Sequence, residues 1–139
     1  MKSKILIILL FLISIFSCEE NIVSDDFRNE SVIIDSNLYN QSESNNYSIT
    51  NVQLNGNNLT IRISSSGCSS DSWKAILIDA NEILESYPVQ RKIKLSLENN
   101  EACLAVFEKE FTFDISSLKE DYDTVLLNLK GWDTQINYN

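Results

Sequence analysis

The residues of this 139-residue chain that could do chemistry are few in kind. Histidine is absent, which removes imidazole acid–base catalysis, His-containing triads and His metal sites together. Twenty Asp and Glu stand against eleven Lys and Arg, a formal net charge of −9, so carboxylates are the abundant reactive group. Asp79 with Glu82, and the set Glu120, Asp121 and Asp123, are the places where two carboxyl groups could sit at the separation that glycoside hydrolysis requires. In a chain this acidic, neighbouring carboxylates are expected by chance, and the reading is solvated loop charge and no enzyme. The run Glu120-Asp121-Tyr122-Asp123 offers oxygen ligands to a hard cation but lacks the loop glycine and distal Glu of an EF-hand. No metal site and no cofactor are therefore expected. No nucleophile elbow, phosphate loop or zinc spacing occurs.

Aromatic rings are the other candidates for contact with a ligand. Tyr87 adjoins Pro88, and Trp132 follows Gly131, where a β-bulge is expected; a ring at either place could be presented to a sugar or a peptide. Trp73, at the start of an apolar run, is expected in the core.

The elements that must position these residues begin with an N-terminal segment of a different kind. Lys2 and Lys4 precede an apolar stretch from Ile5 to Phe16 that is too short to span a bilayer and has the length of a signal-peptide core. Ile15-Phe16-Ser17-Cys18 resembles the lipobox of bacterial lipoproteins, in which an apolar, a variable and a small residue precede an invariant Cys. The resemblance implies removal of residues 1–17, acylation of Cys18 and attachment to the outer membrane on its periplasmic or cell-surface side. Two or three acyl chains, each contributing about 0.8 kcal/mol per buried methylene, hold a protein stably where a single chain is marginal. Losing Lys2 and Lys4 leaves nine basic against twenty acidic residues, or −11 for residues 18–139. That charge argues against a nucleic-acid partner and leaves the lipid anchor as the membrane attachment. The expected partners are an envelope protein or a glycan, and the expected role is a noncatalytic binding or accessory module. The alternative is a small envelope-maintenance or inhibitory lipoprotein.

In such a compartment thiols oxidise, and with Cys18 acylated the remaining two cysteines are expected to form a Cys68–Cys103 disulfide. Residues 18–46 mix acids with Asn and Ser and read as a flexible tether, interrupted by Ser31-Val32-Ile33-Ile34-Asp35, a candidate edge strand.

Residues 47–139 read as one all-β domain. Val52 and Leu54, then Leu59, Ile61 and Ile63, alternate with polar residues around Asn55-Gly56, which predicts a hairpin with a two-residue type I′ loop and Val52 opposite Leu59. Trp73 to Ile78 is apolar on both faces, and Ile83-Leu84 is a short strand. Gln90 to Leu97 carries Ile93, Leu95 and Leu97 inward, with Arg91, Lys92 and Lys94 mostly outward. Strands are also expected at 102–107, 111–115, 124–129 and 136–138, with a helical turn at 117–120. Seven or eight short strands close most naturally into a two-sheet antiparallel β-sandwich, with an open β-barrel as the alternative. The sandwich resembles immunoglobulin-like domains at the level of architecture, since the Cys68, Trp73, Cys103 order lacks their spacing.

Overall fold

The computed structural model describes residues 30–119 and 122–139. Alternation in the sequence becomes the two faces of the long strands. In β4 (Asn58–Gly67), Leu59, Ile61 and Ile63 are fully buried; in β6 (Val89–Glu98) the same is true of Ile93 and Leu95. Each fully buried Leu or Ile contributes about 1.5–3 kcal/mol through removal of apolar surface from water. β3 (Ser48–Asn55), β5 (Lys74–Leu84), β7 (Ala105–Asp114), β8 (Val125–Leu129) and β9 (Ile136–Tyr138) complete the longer strands. The chain is all-β, with nine described strands in two sheets enclosing one core.

One sheet runs β1-β7-β4-β3 and the other β2-β5-β6-β8-β9. β1 (Glu30–Ser31) and β2 (Ile33–Ile34) belong to one extended segment that passes from the first sheet to the second, turning Val32 into the core between them. Three pairings, β1 with β7, β2 with β5 and β6 with β8, are parallel, so both sheets are mixed and the expected all-antiparallel sandwich is corrected. The sheets do not close into a barrel. On the outer face of the first sheet, Thr60 faces Thr112 (2.9 Å) and Arg62 grips Glu110 (2.7 Å), cross-strand pairs that hold the β4–β7 register.

The folded body begins earlier than the composition predicts. Residues 30–46, expected to be tether apart from the candidate edge strand at 31–35, contribute β1 and β2, each at the edge of its sheet, and the helix α1 (Ser36–Gln41). Asp35 caps α1, its Oδ1 accepting from the Leu38 amide at 2.9 Å, and the helix packs on β5. Lys94, expected mostly outward, alternates with inward Ile93 and Leu95 yet is buried, donating to the carbonyls of Tyr39 and Ser42, where the C-terminal end of α1 offers acceptors. Asn46 and Tyr47 are stitched to the second sheet through Leu97 O (3.1 Å) and Leu95 O (2.6 Å). The signal segment, Cys18 and the rest of the expected tether lie outside the described residues. No described helix is long and apolar enough to cross a membrane.

One turn and the extent of one strand differ from expectation. The first hairpin pairs Leu54 with Leu59 and Val52 with Ile61 around a Gly56-Asn57 loop, and positive φ falls on Gly56 alone (+57°). That is the II′ arrangement, with glycine first, rather than I′. A bulge between Ile49 and Asn51 then shifts the register. The strands expected at 102–107 and 111–115 are replaced by one continuous strand, β7, that runs from Ala105 to Asp114.

Candidate functional site

Parallel pairing of β6 with β8 places Val89 opposite Val125, so the chain segments entering these two strands run side by side at one end of the second sheet. The first segment carries Tyr87 and Pro88, the second Tyr122, Asp123 and Thr124, and together with Val89 they line a cleft of about 370 Å³. Ser86 holds the Tyr87 tip, its Oγ donating to Pro88 O at 2.6 Å and accepting from Gln90 Nε2 at 3.1 Å. The Tyr87 ring is fully exposed and Tyr122 is exposed beside it. Thr124 Oγ1 donates to Asn139 Oδ1 at 3.2 Å, tying the second wall to the end of the chain. The cleft is mainly apolar; among the described residues Asp123 is the charged residue that lines it, and no Lys or Arg does.

Trp132 does not join this site. The expected bulge at Gly131 is a chain reversal: β8 and β9 form an antiparallel hairpin, with Leu127 opposite Ile136. Gly131 adopts φ +85° and the Trp132 amide donates to Leu129 O at 3.1 Å, closing a turn in which glycine relieves the Cβ clash. The turn carries Trp132 back over the sandwich, where its half-buried ring packs against the core. Trp73 is buried as expected.

The carboxylates expected by chance are separated by the strand geometry. Asp79 lies on the inward parity of β5 with Ala75 and Leu77, and Arg91 on that of β6 with Ile93. Arg91 was expected mostly outward; it is buried and grips Asp79 with two hydrogen bonds, Nη2 to Oδ1 at 2.8 Å and Nε to Oδ2 at 3.0 Å. A bulge between Asp79 and Ile83 intervenes, with Asn81 at φ +55° and its amide donating to Asp79 Oδ1 at 2.8 Å. Glu82 is exposed and pairs with Lys92 at 3.0 Å. Asp79 and Glu82 therefore do not form a two-carboxylate site. Of the acidic run, Glu120 and Asp121 lie outside the described residues and Asp123 lines the cleft. Among the described residues no group of three or more potential His, Cys, Asp or Glu ligands comes together.

Cys68 and Cys103 form a disulfide just beyond the Gly67–Ala105 pair that ends the β4–β7 ladder. Glu101, which no pattern in the sequence singles out, sits inside the loop that this bond closes. Its Oε1 accepts from Ser72 Oγ at 2.6 Å, and its Oε2 accepts from the amides of Cys68 (2.5 Å), Ser69 (3.2 Å) and Ser70 (3.3 Å). Ser70 at φ +64° helps turn successive N–H groups toward one point, a backbone nest for an anion. These donors, the Ser72 hydroxyl foremost and then the three amides, hold the carboxyl down to about 2 against the opposing effect of desolvation. Carbonyls of the same loop turn the other way, and Lys109 donates to those of Ser70, Asp71 and Trp73. A side chain at position 67 would collide with Glu101 and Trp73, which makes Gly67 a packing requirement.

No protein-family model matches the sequence, and no curated protein does. Among solved structures, the chain is similar to a protein of unknown function, DUF1344, from Bacteroides vulgatus, with a TM-score of 0.52 and 12% identity over 78% of this chain and 54% of that one. A protein of Parabacteroides distasonis assigned as toxin-related gives 0.49 and 13% over 78% of this chain and 58% of that one. The chain thus spans a little over half the length of each, and at such identity the likeness to the first concerns the fold alone.

Proposed function

We propose that the chain is a lipoprotein of a bacterial cell envelope, anchored to the outer membrane through acylated Cys18, whose folded body is a noncatalytic binding or accessory module for a protein or a glycan. The anchor is supported by the basic start at Lys2 and Lys4, the apolar stretch to Phe16, and Ser17-Cys18 at its end. The binding role rests on one observation: Tyr87 is held fully exposed on a hydrogen-bonded tip at the mouth of an apolar cleft. A large ring kept in water by an ordered segment forgoes the burial that it would gain in the core, which is a feature of contact surfaces. The noncatalytic part is supported by the engagement of Asp79, Glu82 and Glu101 in ion pairs or in the nest. The immunoglobulin-like description of the body belongs to the same proposal, supported by two sheets around one core and by Trp73 packed against Gly67 at the disulfide end.

The second reading, an inhibitory or envelope-maintenance lipoprotein, is favoured by the loop Cys68–Ser72, clamped by the disulfide and the nest beside exposed Leu104 and Val106. Intact mass spectrometry of the protein from its native envelope, with and without reduction, together with protease shaving of whole cells, tests the anchor. The expected species begins at Cys18, carries added acyl mass, gains two hydrogens on reduction and is cleaved from intact cells. An unacylated mature chain would overturn the anchor.

A further inference from the structure

We infer that the Tyr87–Tyr122 cleft takes a cationic side chain, Arg or Lys, from a basic segment of a partner protein. The inference rests on the binding-module reading and gives that module its partner's chemistry. Two tyrosines line the cleft, and the electron-rich face of a tyrosine ring attracts a cation. Asp123 lines the same cleft, and residues 18–139 carry a net charge of −11, so the local and the long-range fields have the same sign. The hydrogen-bonding character points the same way. Asp123 only accepts, and the proton of Thr124 Oγ1 is already given to Asn139. A guanidinium or ammonium group donates and never accepts, and Asp123 is the charged acceptor that the lining offers it. The Pro88 and Val89 side chains supply apolar surface for the methylene stem behind the charged head.

Titration of the full-length chain with acetyl-Gly-Arg-Gly-amide, and with the same peptide carrying neutral citrulline in place of Arg, tests this, read by the ring resonances of Tyr87 and Tyr122. The Arg peptide is expected to shift both rings and to bind more tightly than the citrulline peptide. Tyr87→Leu, at a fully exposed position where folding is not at stake, should weaken it about 2- to 5-fold, the range of exposed cation–π contacts. Asp123→Asn should weaken it further and flatten its dependence on salt. Equal binding of the citrulline peptide, or no shift with either, would overturn the inference. If a neutral oligosaccharide moves the same rings and the Arg peptide does not, the cationic ligand is wrong and the binding module stands. An unacylated mature chain would sink the anchor and leave this cleft untouched.

Discussion

Replacing Cys68 and Cys103 together by Ala removes the only covalent crosslink among the described residues, and its cost follows from the loop it closes. The two cysteines are 35 residues apart. Chain entropy for such a loop is about −13 cal/mol/K, or roughly 3.8 kcal/mol at 25 °C. For a folded body of about 110 residues, with an unfolding entropy of about 2.1 cal/mol/K per residue, that lowers Tm by roughly 15 °C. Because the effect acts on the unfolded ensemble, the open chain should expand further on denaturation, and the denaturant slope m should rise as stability falls. Guanidinium and thermal unfolding followed by circular dichroism, on oxidised wild type, reduced wild type and the double variant, read both quantities. The reduced protein and the variant should agree. A loss under about 1 kcal/mol with unchanged m would refute the argument and show that the nest around Glu101, or residual structure in the unfolded chain, holds the loop without the bond.

The buried ion pair makes a second prediction: Asp79→Asn leaves Arg91 charged in the interior and should cost about 3–5 kcal/mol, whereas Asp79→Leu combined with Arg91→Met should recover most of that loss. Chemical denaturation of the single and double variants checks it, and a double variant as unstable as the single one would contradict it. For Glu101, the folded carboxyl is depressed from 4.5 to about 2, so its stabilising contribution is complete above pH 4.5 and disappears as pH falls from 4.5 through 2. Glu101→Gln should lose stability at pH 6 and show a shallower acid slope than wild type in that window; parallel slopes would refute the assignment. Gly131→Ala forces a side chain onto φ +85° and should cost about 1–2 kcal/mol in a thermal melt, an effect absent if the turn relaxes.

The strands with strict alternation were legible because one buried face imposes period two, and β4 and the inward residues Ile93, Leu95 and Leu97 of β6 lie where that period puts them. Arg91 shows how residue type can mislead where spacing does not. Its parity matches Ile93 and points inward, but a cation reads as outward until its partner, Asp79 at the matching parity of β5, is known. In residues 30–46 the β-branched run at 31–35 marked a candidate strand, but the six-residue helix carries almost no local signal, and the two short strands depend on pairing with β7 and β5. Gly131 was ambiguous in kind, because a lone glycine in an apolar stretch serves a bulge or a tight turn equally well, and only the β8–β9 pairing decides. Tyr87 was legible as a candidate ligand-facing residue. Tyr122 was not, because what brings it to Tyr87 is a parallel pairing between strands far apart in sequence.

The placement of the cations bears on what the acidic surface can do. Arg91 is buried on Asp79, Arg62 and Lys92 are paired with Glu110 and Glu82, and Lys94 and Lys109 donate to backbone carbonyls of α1 and of the disulfide loop. Lys119 lies 5.5 Å from the Tyr138 ring centroid. Most described cations thus act within a few ångströms, to fasten a helix end, a loop or a strand pair, and Lys94 and Lys109 do so on backbone carbonyls. The positive charge is spread over structural contacts, while the excess of carboxylates remains as a field that extends over roughly a Debye length, about 8 Å at physiological salt. A cleft with tyrosine walls and a carboxylate in that field gains attraction for a cation from the whole body as well as from its own lining. The body field steers encounter and fades with salt, whereas the two rings and Asp123 act at contact and keep more of their effect. Salt dependence of association rate against dissociation rate therefore separates them: salt should slow association strongly and change dissociation little, and substitution of Tyr87 should do the reverse.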